Sequence, residues 1–593
     1  MARLAHPKSR PQAAAPRTLL TYPITYFAGL NNSDDPSSID ANQSPDTLNT
    51  ILDSHGAILP RQGYIKLLTV PLPSASTGGY GYYNSNGTKK LLYAAGQNLY
   101  VYNNSGGSSS VNALAFNPSA QYDFDEYLNV AYGVNGNDFI AYNGSAGSLS
   151  PNGAAALAQN GGVNVTFSNP TALRVHKNRV WIASGSNIYF SDAGVPTSFP
   201  AFNIININTN DGQQIKSISV LNDALVIFKE DSIWYLRGEP LGSGTNTTIG
   251  NLSLVKVNSP VGSAGLRCVA KVDSVLFFMS RDGIYALQNN SVTLVSKEIN
   301  GTFRQDMNLS SQQVSWMVYN PIQKKLLIGY PQSGSIVANK IICYDLLQKK
   351  FTIWDDMPGV WAINFRFSNT DQVVMADPIK GNIYVLFQGY ADIAGYNGIV
   401  GGSTLTTLSD NTASWLTNQF VDARVQVGLG SSIVYTAVVT SNTATTLTLA
   451  TWTNGPPPAG IPYTIGGYSS YWTSRIFSYD DPGMRKRYKY VDYFTDSEGN
   501  YGLQNGVAIN FATLSYNLPP LALFTGSVTW DQPGVYWDQS GVYYDSRQSL
   551  FRRQSVPGQG HFIQIMFGNF NANQPWRVFE YQFDYKLKKE SPN

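Results

Sequence analysis

A series of short hairpin sequences between Lys89 and about Gly389 decides how this chain folds. Each copy has an apolar run, a short turn that usually contains Gly, and a second run with aromatic residues. The seven copies are KKLLYAAGQNLYVYN from Lys89, YLNVAYGVNGNDFIAYNG from Tyr127, NRVWIASGSNIYFSD from Asn178, DALVIFKEDSIWYLRGE from Asp223, DSVLFFMSRDGIYALQNN from Asp273, KKLLIGYPQSGSIVANKIICYDL from Lys324 and DQVVMADPIKGNIYVLFQG from Asp371. Their starts lie roughly 40 to 50 residues apart, which is the length of a propeller blade of four short strands. The pattern therefore predicts an all-β fold with a β-propeller of about seven blades.

Length and composition favour a large β-rich protein with a weakly charged surface. At 593 residues the chain is long enough for about two to four domains. Charged residues make up 13% of it, well below the usual share, whereas Gly and Tyr are abundant. Such a surface suits large protein–protein contacts, because few charges must lose their water there. The net charge of +2 does not by itself indicate nucleic-acid binding.

Changes in composition along the chain predict further units. Residues 1–20 are basic and are interpreted as a flexible arm, which either has no role or orders against a partner subunit. An N-terminal β segment is expected over 21–75 and the propeller over 76–395. Residues 396–467, flanked by Gly pairs, are predicted to form an inserted small β-domain. Residues 468–593 are predicted to form a C-terminal β-rich domain, either a β-sandwich or a sheet beside the N-terminal segment.

Neither the ends of the chain nor its cysteines indicate a secreted or membrane-spanning protein. The first 20 residues lack the continuous apolar stretch of a secretory signal, and no run of 18 apolar residues occurs, so no membrane insertion is expected. Cys268 and Cys343 lie in apolar strand runs and are expected to be buried thiols.

Residues that could carry catalysis are scattered. The four histidines are far apart, and no zinc, Walker or nucleophile-elbow motif occurs, so we expect no enzyme, metal site or cofactor. SDAGVPTSF from Ser191 is similar to the Asp-box of sialidase-type propellers, and we interpret it as a turn former. Two interpretations stay open for the acidic run with Asp123, Asp125 and Glu126. It could bind Ca²⁺ or supply glycosidase carboxylates, but a charged strand edge that prevents edge pairing is favoured.

A dense basic run lies in the C-terminal part and contains Arg485, Lys486, Arg487 and Lys489. It is a candidate basic contact with three interpretations. A solvated strand face comes first, and contact with an acidic neighbouring subunit comes second. Contact with DNA comes third, because alternation along a strand would divide the charges between two faces.

Two parts of the chain together match a known pattern. The first has a Gly-Leu turn, an Asp- and Ser-rich loop, a Ser-Pro step and an Arg-x-Gly-Tyr motif, carried by Gly29, Leu30, Asn31, Ser44, Pro45, Leu48, Asn49, Gly56, Ala57, Arg61, Gly63 and Tyr64. The second has three consecutive blades in Arg174–Pro200, Ile218–Pro240 and Ser259–Leu287. From Tyr22 to Gly389 the chain resembles the tail nozzle or hub proteins, also described as tail-tube or DNA-stabilisation proteins, of short-tailed bacteriophages.

This resemblance implies a structural protein of the virion tail. Copies of the chain are expected to form a ring, with a homohexamer as the expected form, that continues the DNA-ejection channel below the portal and adaptor proteins. The ring would anchor tail fibres or other distal tail proteins, and phage DNA would pass through its lumen without sequence-specific binding. The alternative is a carbohydrate-binding or carbohydrate-cleaving β-propeller at the tail tip.

An aromatic stretch near the C-terminus is the candidate subunit contact. Pro-Gly and Ser-Gly turns in Val528–Gln548 suggest loops that project from a sheet. Tyr and Trp are favoured at protein contacts, because they bury a large area and keep a polar atom for hydrogen bonding. The candidate contact residues are Trp530, Tyr536, Trp537, Tyr543 and Tyr544.

Overall fold

The computed structural model describes residues 19–588, except for 104–105, 112–115, 117–120, 146–151, 154–166, 168, 242–248, 368, 430–432, 480–481 and 525–548. Within these residues almost all regular structure is β, which confirms the expected all-β class. The helical turns that the structure describes are short and lie at Thr209–Asp211, Lys297–Ile299, Thr302–Asp306 and Leu309–Val314. None of the described helices is long and apolar enough to cross a membrane.

Five short strands precede the repeated region. They are β1 (Leu20–Ile24), β2 (Thr47–Leu48), β3 (Thr50–Leu52), β4 (Ile58–Pro60) and β5 (Tyr64–Lys66). They form no sheet of their own, since each one pairs with strands from later in the chain or joins a sheet that those strands build.

Seven groups of antiparallel strands follow, which we number as blades 1 to 7. Blade 1 contains β6 (Ser76–Tyr83), β7 (Lys89–Ala95), β8 (Asn98–Tyr102) and β9 (Ser108–Ser110), and blade 2 contains β10 (Asp123–Tyr127), β11 (Val130–Val134), β12 (Asp138–Tyr142) and β13 (Asn152–Gly153). Blade 3 contains β14 (Pro170–His176), β15 (Arg179–Ser184), β16 (Asn187–Phe190) and β17 (Ile204–Asn206), and blade 4 contains β18 (Ser217–Leu221), β19 (Ala224–Phe228), β20 (Ile233–Arg237) and β21 (Ser253–Lys256). Blade 5 contains β22 (Val269–Val272), β23 (Val275–Ser280), β24 (Gly283–Gln288) and β25 (Ser291–Leu294). Blade 6 contains β26 (Trp316–Asn320), β27 (Lys325–Tyr330), β28 (Lys340–Asp345) and β29 (Lys350–Trp354). Blade 7 contains β30 (Trp361–Phe367), β31 (Thr370–Ala376) and β32 (Ile383–Leu386), together with β5.

The first strands of the blades form the inner ring of a propeller. Strands β6, β10, β14, β18, β22, β26 and β30 contact one another in succession, and β30 contacts β6 again. An apolar cluster lies between each pair of successive blades, including the pair formed by blades 7 and 1. The expected β-propeller is therefore confirmed, and its stability comes from apolar contacts between blade faces.

The expected number of about seven blades needs a correction. Six blades are separate four-stranded sheets, whereas the strands at the sixth position, β26 to β29, belong to a nine-stranded sheet. The sheet continues because β29 has a further neighbour on its outer side: Ile353 pairs in parallel with Leu48 of β2. Six independent four-stranded blades thus form the propeller, and strands β26 to β29 of the larger sheet complete the ring between blades 5 and 7.

All seven hairpins in the sequence pattern are the second and third strands of a blade. These strands lie in the middle of each sheet, where neighbouring blades cover both faces, so most of their residues are apolar, above all in the second strands. Every residue of β15 and β19 is buried, for example. The fourth strands lie on the rim and are more exposed, as in β21 and β25. Their sequences consequently carry a weaker pattern.

Strand β5 closes the propeller. It comes before blade 1 in the chain, yet it pairs with β32 as the outer strand of blade 7, with Ile65 opposite Val385. Tyr64 packs against Tyr384 with a distance of 4.8 Å between ring centroids. The last blade is therefore completed from the N-terminal side, and the ring is held shut by non-covalent pairing.

The C-terminal strands form a two-sheet body with the N-terminal ones. They are β40 (Ser470–Thr473), β41 (Lys486–Asp496), β42 (Gly502–Ile509), β43 (Leu518–Ala522), β44 (Ser549–Ser555), β45 (Gln559–Gly560), β46 (Ile563–Asn569) and β47 (Val578–Leu587). One sheet has the order β3-β4-β47-β41-β44, with β1 on β47 and β45 on β41; the other continues blade 6 as β29-β2-β40-β46-β42-β43. The two sheets share an aromatic core, in which Phe27 meets Trp472 edge to face at 5.0 Å.

The strands between the propeller and this body form a separate sheet. They are β33 (Tyr396–Ile399), β34 (Gly402–Ser403), β35 (Thr407–Ser409), β36 (Arg424–Val427), β37 (Tyr435–Asn442), β38 (Thr446–Leu449) and β39 (Pro462–Ile465). They pair only with one another in the described residues and enclose their own apolar core. We call this unit the inserted module.

Candidate functional site

Arg61 lies where the propeller, the inserted module and the C-terminal body meet. Its side chain is fully buried and donates two hydrogen bonds to the Asp392 carboxylate, at 2.8 and 2.7 Å. The guanidinium stacks 3.9 Å from the centroid of the Tyr468 ring. Burial alone would lower the pKa of Arg61, but the charge and hydrogen bonds of Asp392 raise it above its usual value. Burial raises the pKa of Asp392, against the lowering effect of the Arg61 charge and hydrogen bonds. The bidentate geometry of the pair fixes the orientation of three chain segments.

Asn49 connects the same junction to blade 6 and to the C-terminal body. Its side-chain oxygen accepts a hydrogen bond from Arg61 Nε at 2.9 Å and another from the backbone N–H of Asp355 at 3.0 Å. Its amide nitrogen donates to the carbonyl oxygen of Ser469 at 2.8 Å. Asn49 has a φ of 51°, a left-handed conformation that Asn adopts more readily than most residues. Four segments far apart in sequence are thus bonded through two side chains.

The Arg-x-Gly-Tyr motif of the sequence has a structural explanation at this junction. Arg61 is the buried cation, and Tyr64 begins the strand that closes the propeller. Gly63 must lack a side chain, because a Cβ atom there would lie 1.9 Å from the carbonyl oxygen of Ala391. The motif therefore places β5 against blade 7 and links it to the chain segment that enters the inserted module.

A cavity of about 320 Å³ opens beside the junction, between blade 7 and the inserted module. Its lining combines aromatic and charged side chains, including Tyr64, Tyr384, Lys380, Asp422 and Arg424. The charges occur in pairs, since Arg424 is paired with Asp356 and Lys380 with Asp422.

Asp422 is the main ionic contact between the inserted module and blade 7. It accepts hydrogen bonds from Lys380 Nζ at 2.8 Å and Lys66 Nζ at 2.5 Å, and from the Asn382 amide at 3.2 Å. Burial alone would raise the pKa of Asp422, but the hydrogen bonds from Lys380 and Lys66 lower it to about 2. The carboxylate is therefore charged at neutral pH and holds the module to the closing strand.

The axis of the propeller is crossed by Arg267, which precedes β22 of blade 5. Its guanidinium donates to the carbonyl oxygen of Val360 at 2.9 Å and to that of Tyr122 at 3.2 Å, and it also bonds the carbonyl oxygen of Thr77. These carbonyls lie at or next to the starts of β30, β10 and β6, in blades 7, 2 and 1. Burial lowers the pKa of Arg267 to about 10. One side chain thus bridges opposite sides of the ring.

The acidic run of the sequence lies on inner strand β10 and bonds to neighbouring inner strands. Asp123 accepts from the backbone N–H of Leu173 at 2.8 Å and pairs with Arg174 at 2.7 Å. Asp125 accepts from the N–H of Val175 at 2.8 Å. These bonds satisfy donors on the edge of β14. The arrangement agrees with a strand-edge role, with the difference that the carboxylates bond to the neighbouring edge.

Glu126 acts in the same way toward blade 1. Its carboxylate accepts from the backbone N–H of Tyr83 at 3.1 Å. In the described part of the chain, no group of three or more His, Cys, Asp or Glu side chains could hold a metal ion.

The Asp-box-like turn at Ser191 is structural in its geometry. Ser198 Oγ donates to the Asp192 carboxylate at 2.8 Å, and the backbone N–H of Asp192 donates to the carbonyl oxygen of Ser198 at the same distance. Phe199 is fully buried between blades 2 and 3. The two cysteines, Cys268 and Cys343, are buried free thiols, as expected, and burial raises the pKa of each to about 12.

The basic run lies at the start of β41, and one of its four residues is buried and so cannot be part of the candidate basic contact. Lys486 is fully buried, and its Nζ donates to the carbonyl oxygen of Ser478 at 2.6 Å. Arg485 and Arg487 are exposed, and Lys489 is half-buried. The alternation of the strand explains this division, because even-numbered positions before Tyr488 face the core.

The aromatic candidate residues Trp530, Tyr536, Trp537, Tyr543 and Tyr544 lie outside the described residues, as does the basic arm up to residue 18. The junction residues Asp392, Asp422 and Tyr468 were not singled out from the sequence. They carried no local signal, because their partners lie from 40 to more than 400 positions away in the chain.

No protein-family model and no curated protein matches this chain. Among solved structures, the chain is similar to PorZ, an essential bacterial surface component of the type-IX secretion system of Porphyromonas gingivalis, with a TM-score of 0.36 and 14% identity. The match covers 64% of this chain and 45% of PorZ, so it spans less than half of that protein. Virginiamycin B lyase from Staphylococcus aureus has a TM-score of 0.35 and 11% identity, with 53% of this chain and 94% of the lyase covered. The Pan2 WD40 domain of Neurospora crassa has a TM-score of 0.35 and 10% identity, with 57% of this chain and 99% of that domain covered.

Proposed function

We propose that this protein is a structural component of a bacteriophage tail. Copies of the chain would form a ring, expected to be a hexamer, that continues the DNA-ejection channel below the portal and adaptor proteins. The ring would also anchor tail fibres or other distal tail proteins. The proposal rests on the resemblance of Tyr22–Gly389 to nozzle and hub proteins, and the architecture supports it.

The observation that supports the proposal most is the way the units are joined. The nine-stranded sheet runs from blade 6 through β2 into the C-terminal body, and the N-terminal segment contributes strands to both of its neighbours. The buried Arg61 pair fixes the inserted module at the same point. An element in the wall of a tube has to keep its shape under load, and shared sheets with a buried ionic junction resist movement between units. A low share of charged residues suits permanent contacts between copies.

A carbohydrate-cleaving or carbohydrate-binding propeller is the competing function. Such a glycosidase would need two carboxylates free to face a sugar, about 5 to 9.5 Å apart. The acidic groups near the axis, Asp123, Asp125 and Glu126, instead accept hydrogen bonds from backbone N–H groups. This arrangement favours the structural proposal. Release of oligosaccharides from host-surface polysaccharide by the purified protein would reverse that preference.

The deciding experiment measures where the protein lies in the virion and how many copies of it each tail contains. Virions of the phage that encodes this chain would be labelled with gold-conjugated antibodies and imaged, and the number of copies per tail would be counted by quantitative mass spectrometry. We expect label at the base of the tail and a copy number that is a small multiple of one ring. Absence from purified virions, or label on the capsid shell, would contradict the proposal.

A further inference from the structure

One end of the C-terminal body carries a basic face that the sequence alone did not show. Strands β41 and β47 pair there as a ribbon, with Arg487 directly opposite Lys586. The pairing continues by one step, because the backbone N–H of Lys588 donates to the carbonyl oxygen of Arg485 at 2.8 Å. Residues opposite each other in an antiparallel pair point to the same side. The ribbon therefore presents two like-charged cross-strand pairs, which we call the basic face.

The other side of this ribbon belongs to the core, and this separation concentrates the charge. Tyr488 and Tyr585 are buried in the core between the two sheets, and Leu587 packs against it. A bulge between Tyr488 and Tyr490 then changes which positions of β41 face outward. Arg485 and Arg487, at the start of β41, therefore lie on the outer side of the ribbon, next to Lys586 and Lys588 at the end of β47.

The described residues do not neutralise the basic face. The ion pairs formed in this body involve other cations, namely Arg553 and Arg577. Asp492 and Asp584, which lie further along the same sheet face, are 0% and 4% exposed at their side chains and are bonded to Arg553. Like charges directly opposite each other destabilise a sheet. Such an arrangement is compatible with a stable fold when an anionic partner compensates the charges.

We propose that the basic face binds the phosphate backbone of double-stranded DNA. Cations at alternate positions of a strand lie about 6.8 Å apart, and neighbouring strands lie about 4.8 Å apart, so the face offers a regular, flat array of four charges. Each strand of duplex DNA carries one phosphate for about every 3.4 Å of the helix axis, so the charges are regularly spaced. Arg485 and Arg487 can each bind a phosphate through two N–H groups. The choice of DNA over another polyanion rests on the proposed function, in which DNA passes the ring.

Four phosphate contacts would give weak binding that depends strongly on salt. The logarithm of the binding constant should fall with the logarithm of salt concentration with a slope of about −3.6, that is −0.9 for each of four contacts. Contacts of this kind carry no sequence information. DNA could therefore be guided past the face and released without a specific site.

The test measures fluorescence anisotropy of a labelled mixed-sequence duplex of about 24 base pairs with the full chain, between roughly 25 and 200 mM salt. Arg487→Gln combined with Lys586→Gln should make the slope less negative by about 1.8 and weaken binding at least tenfold at the lowest salt. Lys271→Gln combined with Lys297→Gln removes the same charge from exposed positions of blade 5 and the following turn, and should leave binding unchanged. Circular dichroism of each variant checks that the fold is kept.

Equal duplex binding by the wild type and by R487Q/K586Q would overturn the inference. If R487Q/K586Q had in addition lost self-association in sedimentation velocity, the basic face would be assigned to an acidic surface of a second copy. Failure of the proposed function looks different, because it would show as absence of the chain from tails whatever the duplex measurements give.

Discussion

Replacing Arg267 tests whether one side chain holds the propeller together across its axis. We expect Arg267→Met to loosen blades 7 and 1, because methionine keeps much of the apolar stem but donates no hydrogen bond. The native guanidinium bonds three carbonyl oxygens from three blades. Hydrogen bonds from a charged donor contribute about 1.5 kcal/mol each at the low end, or about 4.5 kcal/mol for three.

Part of that loss is offset, since the variant no longer carries a partly buried cation. Burial already lowers the pKa of Arg267 to about 10, which shows that the environment opposes its charge. We therefore expect a net loss of about 2 to 3 kcal/mol in the free energy of local opening. Each 1.4 kcal/mol corresponds to a factor of ten, so amide exchange should accelerate roughly 30- to 150-fold.

Hydrogen–deuterium exchange is the suitable assay, because a chain of this size does not unfold in a single step. The amides of β6, β7, β30 and β31 should exchange faster in R267M, while those of the inserted module should not change. Arg267→Lys should recover less than half of the protection, since one ammonium group cannot reach three diverging carbonyls. Arg281→Met, at a side chain that is 64% exposed in blade 5, is the matched control and should stay within about 0.5 kcal/mol of wild type. Unchanged exchange in R267M would refute the idea that the axis is bridged by this residue.

Three further predictions concern the junction, the aromatic stretch and the inserted module. Burial, together with the neighbouring charge of Asp356, raises the pKa of Asp355 to about 6, so the folded protein binds this proton more tightly than the unfolded chain does. The stability of the protein should therefore fall as pH rises from about 4 to 6. Asp355→Asn should remove this pH dependence and raise the thermal midpoint at pH 8, and an unchanged dependence of stability on pH in the variant would contradict the prediction. Trp530→Ala with Trp537→Ala should leave the fold intact but block incorporation into tails, with a cost on the order of 2 kcal/mol for each residue at the contact, so normal titres in a complementation assay would show that the stretch is not an essential contact. Deleting residues 402–466 should leave a soluble, cooperatively unfolding protein in thermal melts, because the inserted module has its own core, and an aggregated product would count against an independent module.

The seven hairpins could be read from the sequence because their causes are local. In β19 and β20, for example, strand residues and turn residues are neighbours in the chain, and each middle strand is covered on both faces. The same reasoning predicted a small β-domain over residues 396–467, where the structure has the sheet of the inserted module. Short or exposed strands were harder to find: β2 has two residues, too few to show any period.

The junction shows where such reasoning ends. The sequence pattern marked Asn49, Arg61 and Gly63, but not what they contact. The Asp392 partner of Arg61 lies 331 positions away, and the Ser469 carbonyl bonded by Asn49 lies 420 positions away. Nothing in the residues next to Asp392 distinguishes it from other turn aspartates.

The sequence by itself determined that this chain is built from short antiparallel strands, because alternation, β-branched and aromatic residues and Gly turns act between neighbours. Only the tertiary structure decided which strands complete which sheet. Strand β5 closes blade 7, β2 joins blade 6 to the C-terminal body, and pairing with β47 gathers the cations of the basic face. Backbone hydrogen bonds between strands are alike for nearly all residues, so a strand pairs according to the edge that the rest of the fold leaves open.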